Sequence, residues 1–356
     1  MIINKIVIKK SQRCIFLKKI FNKMKRKFFS VLIILATSIS LVFAWGSWGH
    51  EHINRSAVFA LPEEMRSFFY NHIDFITEEA GVPDLRKYTI NDKAEFARHY
   101  IDLEYFGDNA IDSLPRTMKE AKLKFPDSVL QKYGILPWYM QDMEDKLTQS
   151  FKGGRKTEIL FLAADLAHYI GDAHMPLHTA LNHDGQFTNQ KGIHALWESQ
   201  LPELFGSKYN LYTGDAKYID DINKEIWKMI KASHALEDTL LATERNLKAS
   251  FPADKIYDLD SAGNIKKNKF NQPMHSYEYA KKYHELLNGM VEKQLRGAIA
   301  ETANFWYTAW VNAGKPNLDK IDPKELTERN ALNYKSDYKL WEEKGKVTGI
   351  KSDPEF

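Results

Sequence analysis

The 356-residue sequence has one cysteine, Cys14. A single thiol excludes a disulfide-built scaffold and any cysteine-ligated zinc or iron–sulfur centre. Glycine and proline are also sparse, with 18 and 12 residues, which excludes collagen-like and Gly/Pro-rich low-complexity chains. The sequence has no internal repeat, no set of alternating strands and no glycine-rich phosphate loop. A basic excess is missing too, once the N-terminal segment is set apart. Residues 1–44 hold ten Lys/Arg and no Asp/Glu, and the remainder has 40 basic and 47 acidic residues, a net of −7 against +3 for the whole. That leaves no broad positive field to attract nucleic acid from a distance.

What is present is a globular composition, 44% hydrophobic and 27% charged, in a chain long enough for a sizeable core. The basic N-terminal segment has its own pattern. Met24 is followed by Lys25-Arg26-Lys27, an apolar run 28–43 and the small-residue pattern Val42-Phe43-Ala44. This reads as a secretory signal peptide cut between Ala44 and Trp45. The run is short for a membrane span, which needs about 20 residues. Residues 1–23, with seven basic residues, extend it or precede the true start. Cutting there yields a secreted or periplasmic chain of 312 residues with no stable membrane span and no thiol.

The rest of the chain reads as mainly helical, one multi-helix all-α domain over 45–314 with a polar, charged C-terminal extension over 315–356. Pro62 fits the first turn of a helix that Gly81-Val82-Pro83 ends. The stretch 157–173 is apolar almost all round and predicts a buried central helix. Residues 180–192 are a loop by composition. Helices follow over 193–204, 220–250 and 277–311, the last bent near Gly289 and Gly297. Phe305-Trp306-Tyr307 and Trp310 read as core.

All 12 histidines lie after the cut. His168 and Asp172 are four apart on the central helix and share a face. His194 and Glu198 form a second such pair, with His178 between them in sequence. Imidazole and carboxylate one turn apart suit zinc, and a buried Asp is costly unless it is paired or coordinated.

The string His168-Tyr-Ile-Gly-Asp172-Ala-His-Met-Pro-Leu-His178, then Gly192-Ile-His194-Ala-Leu-Trp-Glu198, resembles the core of the trinuclear-zinc phosphodiesterases. That superfamily unites zinc-dependent phospholipase C with the single-strand-specific nucleases. Arg98-His99-Tyr100-Ile101-Asp102 resembles its upstream histidine segment, and Trp45 with His50 resembles the mature nuclease terminus. The resemblance spans roughly 45–204 and implies an all-α fold with three zinc ions at the base of a cleft. By the same resemblance, Asp84, His99, His168 and Asp172 hold one ion, with Asp74 or Asp92 as substitutes for Asp84. His178, His194 and Glu198 hold a second. The amino nitrogen and carbonyl of Trp45, His50 and a bridging Asp172 hold the third. His52, His174 and His183 are extra histidines, and His52 and His174 read as structural or as neighbours of the ligands.

The implied activity is hydrolysis of a phosphate ester by a water activated between zinc ions, with Asp84 as a general base. The Glu at 198, the short 178–194 interval and the lack of cysteine resemble phospholipase C, which makes a secreted phosphodiesterase of that type the leading reading and the nuclease its alternative. The Trp45–His50 spacing resembles the single-strand-specific endonuclease and 3′-nucleotidase. The substrate is then a phospholipid or a single-stranded nucleic acid, with Arg86 and Arg98 as candidate phosphate contacts. No protein partner is evident. A non-catalytic zinc-binding protein is the third reading.

Overall fold

A segment apolar on every side has to be covered on every side. In the computed structural model of the chain this cover is helical and complete over 166–173, whereas Phe161 nearer the start stays exposed. The structure describes residues 46–90, 92–268, 271–322 and 328–351. Its principal helices are α1 (Gly46–Ala60), α2 (Glu63–Asn71), α3 (Ile73–Glu78), α4 (Val82–Thr89), α5 (Leu136–Lys152), α6 (Lys156–Ala173), α7 (Ile222–His234), α8 (Glu237–Ser250), α9 (Tyr277–Leu286), α10 (Met290–Asn312) and α11 (Glu328–Lys344). The fold is all-α, and the described residues contain no β-ladder, only three isolated bridges within 257–275. None of their helices is long and apolar enough to cross a membrane. The leader expected over 1–44 lies outside the described residues, and so does Trp45.

Helix α6 is the central element, packed by α1, α5 and α10. Two apolar clusters surround it. One joins Ala57 to Ala60 of α1 and the following Leu61 with α2, α5, α6 and the Ala303–Trp310 part of α10. The other joins Ile53 of α1 with Leu177, Trp197, α8, α9 and the Leu295–Ile299 part of α10. Helices α1 and α10 thus tie the clusters together. Trp306 shows the quality of the packing: it stacks on Phe69 with centroids 4.9 Å apart and donates its indole N–H to Ala163 O at 3.0 Å. The indole is buried without an unmet donor, as a core tryptophan requires.

Several sequence expectations shift in detail. Gly81-Val82-Pro83 does not end the helical run. The chain passes through a 3-10 turn, Glu79–Gly81, and Pro83 sits in the first turn of α4, where its missing N–H costs nothing. The 220–250 stretch is two helices, parted at Ala235-Leu236. The 277–311 stretch breaks at Gly289, whose φ of 77° suits glycine. No bend occurs at Gly297, because α10 runs unbroken through it. Gly297 serves another purpose there: a Cβ would lie 2.9 Å from His174 Cδ2. Within 315–356, α11 buries Trp341 completely, its ring 6.2 Å from Phe59.

Candidate metal centre and adjoining cleft

The last turns of α6 place His168 and Asp172 on one face, both fully buried. After α6 the chain turns at Met175-Pro176 and brings His178 back to the same place. His178 then locks the next segment in register. Its Nδ1 donates to His99 O at 2.6 Å, and Ile101 N–H donates to His178 O at 2.9 Å. His194 lies in the short helix Ile193–Ala195, which continues as a π-turn, Leu196–Gln200. Such an inserted residue re-aims side chains and is frequent at functional sites. Here the turn carries Glu198, whose Oε2 lies 3.0 Å from His194 Nε2.

Three groups of donors converge: His50, His168 and Asp172; Asp84, His99 and His168; His178, His194 and Glu198. They share members and neighbours. His99 Nδ1 is 2.9 Å from Asp172 Oδ2 and 3.6 Å from Asp84 Oδ1. His168 Nε2 is 3.4 Å from Asp172 Oδ2, and His50 Nε2 is 3.5 Å from Asp172 Oδ1. Tetrahedral zinc with bonds of about 2.1 Å needs donors roughly 3.4 Å apart, so these separations fit.

The tautomers fit as well. Nδ1 of His168, His178 and His194 each faces a backbone carbonyl, of Ala80, His99 and His183. A carbonyl only accepts, so each Nδ1 carries a proton; Nε2 of His168 and His178 then presents a lone pair inward, while Nε2 of His194 faces the Glu198 carboxylate. Burial holds His99, His168 and His178 below the usual imidazole value, which keeps them neutral and able to bind metal. Burial also acts on His194, but the charge of Glu198 outweighs it and raises His194 to about 9. The same pair holds Glu198 down to about 2 against its own burial. Asp172 is pushed well up, by burial first and then by Asp84. Asp172 Oδ1 and His178 Nε2 are buried and make no hydrogen bond. A buried carboxylate and a buried lone pair left in this way are what a cation would satisfy.

The other sequence-derived candidates fall as follows. Asp84 is completely buried and joins the cluster, whereas Asp74 pairs with Arg55 and Asp92 caps the turn at Ala94. His52 stacks on Trp48. His174 bonds to Ile170 O. Arg86 and Arg98, expected at phosphate, instead grip Glu95, at 3.0 and 2.7 Å. The tryptophan and phenylalanine of 305–306 are core, as expected.

A cleft of about 350 Å³ opens directly over His99, His178 and His194. Its walls include Lys87, Phe96, Tyr100, Asp102, Lys132 and His183. Lys87 stands 2.5 Å from Asp84 Oδ1. Burial, with Glu104 adding repulsion, pushes Asp102 up to about 7. The sequence assigned no role to Lys87, Phe96, Lys132 or Glu95, and named Tyr100 and Asp102 only as part of the His99 segment. Two signals were available: Asp84 and Lys87 are three apart on α4, and Glu95 and His99 are four apart. A further group, Glu104, His234 and Glu237, lies nearer the surface.

Residues 45–303 match the model of the S1/P1 Nuclease family. The chain belongs to this family. Membership makes it a hydrolase of phosphoric ester bonds, of the zinc-dependent phosphodiesterase and nuclease kind. S1/P1 nucleases act on nucleic acid and are typically secreted. No curated protein matches the chain.

Proposed function

We propose that the chain is a single-strand-directed nuclease that holds three zinc ions. Asp84, His99, His168 and Asp172 would hold one, and His178, His194 and Glu198 a second. His50 and Asp172 would hold the third, together with the amino nitrogen and carbonyl of Trp45, freed by cleavage after Ala44. A primary amine can give up its proton to a metal, which an internal amide does poorly.

The observation that carries the substrate class is the cleft. Phe96, Tyr100, Asp102, Lys87 and Lys132 line it: two aromatic rings against which a base could stack, a carboxyl for its polar edge, and two ammonium groups suited to phosphate. Stacking of this kind is tolerant of sequence and supplies binding that the acidic surface does not. The phospholipase C reading rests on Glu198, the 178–194 interval and the missing cysteines. None of these describes the substrate pocket.

Bound zinc would polarise the phosphate and lower the pKa of water. The chain's own groups do the rest. Lys87 Nζ neutralises a phosphate oxygen and steadies Asp84. The Asp84 carboxylate takes the proton of the attacking water. Tyr100 and Asp102 fix the nucleoside so that the ester bond lies over the histidines.

The test is a parallel assay of purified protein on single-stranded DNA, double-stranded DNA and phosphatidylcholine vesicles. Single-stranded cleavage that EDTA stops and zinc restores is expected. Turnover of phosphatidylcholine without DNA cleavage would make the protein a phospholipase C. N-terminal sequencing of secreted protein should begin at Trp45.

A further inference from the structure

The inward-facing histidines are not all held alike. His168, His178 and His194 turn Nδ1 to a backbone carbonyl and Nε2 to the centre. His99 is reversed. Its Nδ1 faces Asp172 at 2.9 Å and His168 Nε2 at 3.1 Å, while its Nε2 lies 3.3 Å from Glu95 Oε1. That is longer than an ordinary hydrogen bond, and Nε2 makes none in this structure. A ring whose Nδ1 lone pair is given to an ion carries its one proton on Nε2. That proton then faces Glu95.

Glu95 is fully buried and is itself held from three sides. Arg86 Nε and Arg98 Nη1 reach its Oε2 at 3.0 and 2.7 Å. The Tyr169 hydroxyl donates to Oε1. Arg86 is braced in turn by Asp165, at 2.7 Å. Two guanidinium groups balance a carboxylate that would be expensive to bury alone. The hydrolysis described above makes no use of this network.

We infer that Glu95 is the positioning residue of His99: it accepts the Nε2–H and so delivers Nδ1, rather than Nε2, to the ion held with Asp84 and His168. The inference rests on the proposed metal centre. Within it, Glu95 does for one ligand what backbone carbonyls do for three of the other histidines. A charged acceptor also raises the basicity of the ligating nitrogen more than a carbonyl does. Burial otherwise depresses that basicity.

The experiment uses purified protein stripped with a chelator. Zinc is titrated back against a competing chelator into wild type and Glu95→Gln, and imidazole ¹H–¹⁵N correlation spectra are recorded on the zinc-loaded proteins. His99 is assigned through His99→Gln. Expected are a proton on Nε2 of His99 with Nδ1 metal-shifted, and about 10–100-fold weaker binding of one ion in Glu95→Gln, the other ions being unchanged. Equal affinity in variant and wild type overturns the role of Glu95 and leaves the centre standing. A uniform loss at every ion with a lower Tm marks Glu95 as merely structural and also overturns the role. If the variant does not fold, the wild-type spectrum decides, since metal on Nε2 of His99 is incompatible with the inference. A wild type with no metal at His99 overturns the proposed centre itself.

Discussion

His99 Nδ1 and His168 Nε2 face each other across 3.1 Å. His168 gives its proton to Ala80 through Nδ1, so its Nε2 brings only a lone pair. Asp172 stands within 3.4 Å of both nitrogens, and Asp84 within 3.8 Å. Two neutral rings and two carboxylates are aimed at one small volume. Lys87 balances one of these carboxylates, 2.5 Å from Asp84 Oδ1, while burial and Asp84 push the Asp172 carboxyl up.

That relationship predicts a sign reversal at Asp172. Its folded pKa is raised well above the usual carboxylate value, by burial and by Asp84. Without metal, a raised acid costs stability as pH climbs past its unfolded value. Asp172→Asn should therefore melt at or above wild type in EDTA at pH 8. With zinc the order should invert, because the variant loses a ligand shared among the groups. Each site filled at 100 times its dissociation constant adds about 2.7 kcal/mol, and the variant should forgo at least one such increment. Thermal unfolding with and without zinc reads both signs. The same order under both conditions would contradict the shared-ligand role.

The His194–Glu198 pair makes a prediction about protons. Without metal His194 is raised to about 9 and Glu198 lowered to about 2. A raised imidazole contributes stability that is complete below 6.5 and lost as pH rises through about 9. A lowered carboxyl contributes stability that is complete above 4.5 and lost as pH falls through about 2. The pair thus favours the metal-free fold most between these limits. Zinc needs a neutral His194. Binding at this group should release about one proton at pH 7.5, a release that fades above pH 9. Calorimetry in buffers of different ionisation enthalpy measures it, and His194→Gln should abolish that proton.

Much of this cluster of candidate ligands was legible in the sequence. His168, Asp172, His194 and Glu198 declare themselves through helical spacing, since residues four apart on a helix must share a face. His178 follows from the proline that ends the helix. Other parts were not legible. Arg86 and Arg98 have the charge for phosphate, but a buried acid, Glu95, claims them from within the fold, and nothing in their spacing reveals burial. The cleft residues Tyr100 and Asp102 lie beside His99 in sequence. Their exposure to a shared cavity depends on how His178 pins that segment, which is a tertiary fact. Gly297 looked like a helix breaker and is instead a gap filled by the His174 ring.

Lys87 offers a separation of binding from chemistry. Its ammonium lies 2.5 Å from Asp84 and borders the cleft. Lys87→Met keeps the stem and removes the charge. The expected result is a 10²–10³-fold fall in kcat on a phosphodiester, the range for removing one charge-stabilising donor. Bound zinc should stay at the wild-type level by elemental analysis. A variant that loses zinc in proportion to activity would place Lys87 in support of the centre alone.

Asp102 should reveal itself in the pH dependence of stability. Burial, then Glu104, raises its carboxyl from 3.8 to about 7. Between those values the unfolded chain ionises while the folded one stays protonated, so wild-type stability falls as pH rises, and the loss levels off above about 7. Asp102→Asn cannot ionise and escapes this loss. Its Tm should match wild type near pH 4 and exceed it by roughly 2–4 °C at pH 8. On the proposed nuclease reading Asp102 would meet the base edge and not the ester, so the same variant should raise KM for a nucleotide more than it lowers kcat. A Tm difference that does not grow between pH 4 and 8 would show that the carboxyl is ionised throughout and solvated by the cleft.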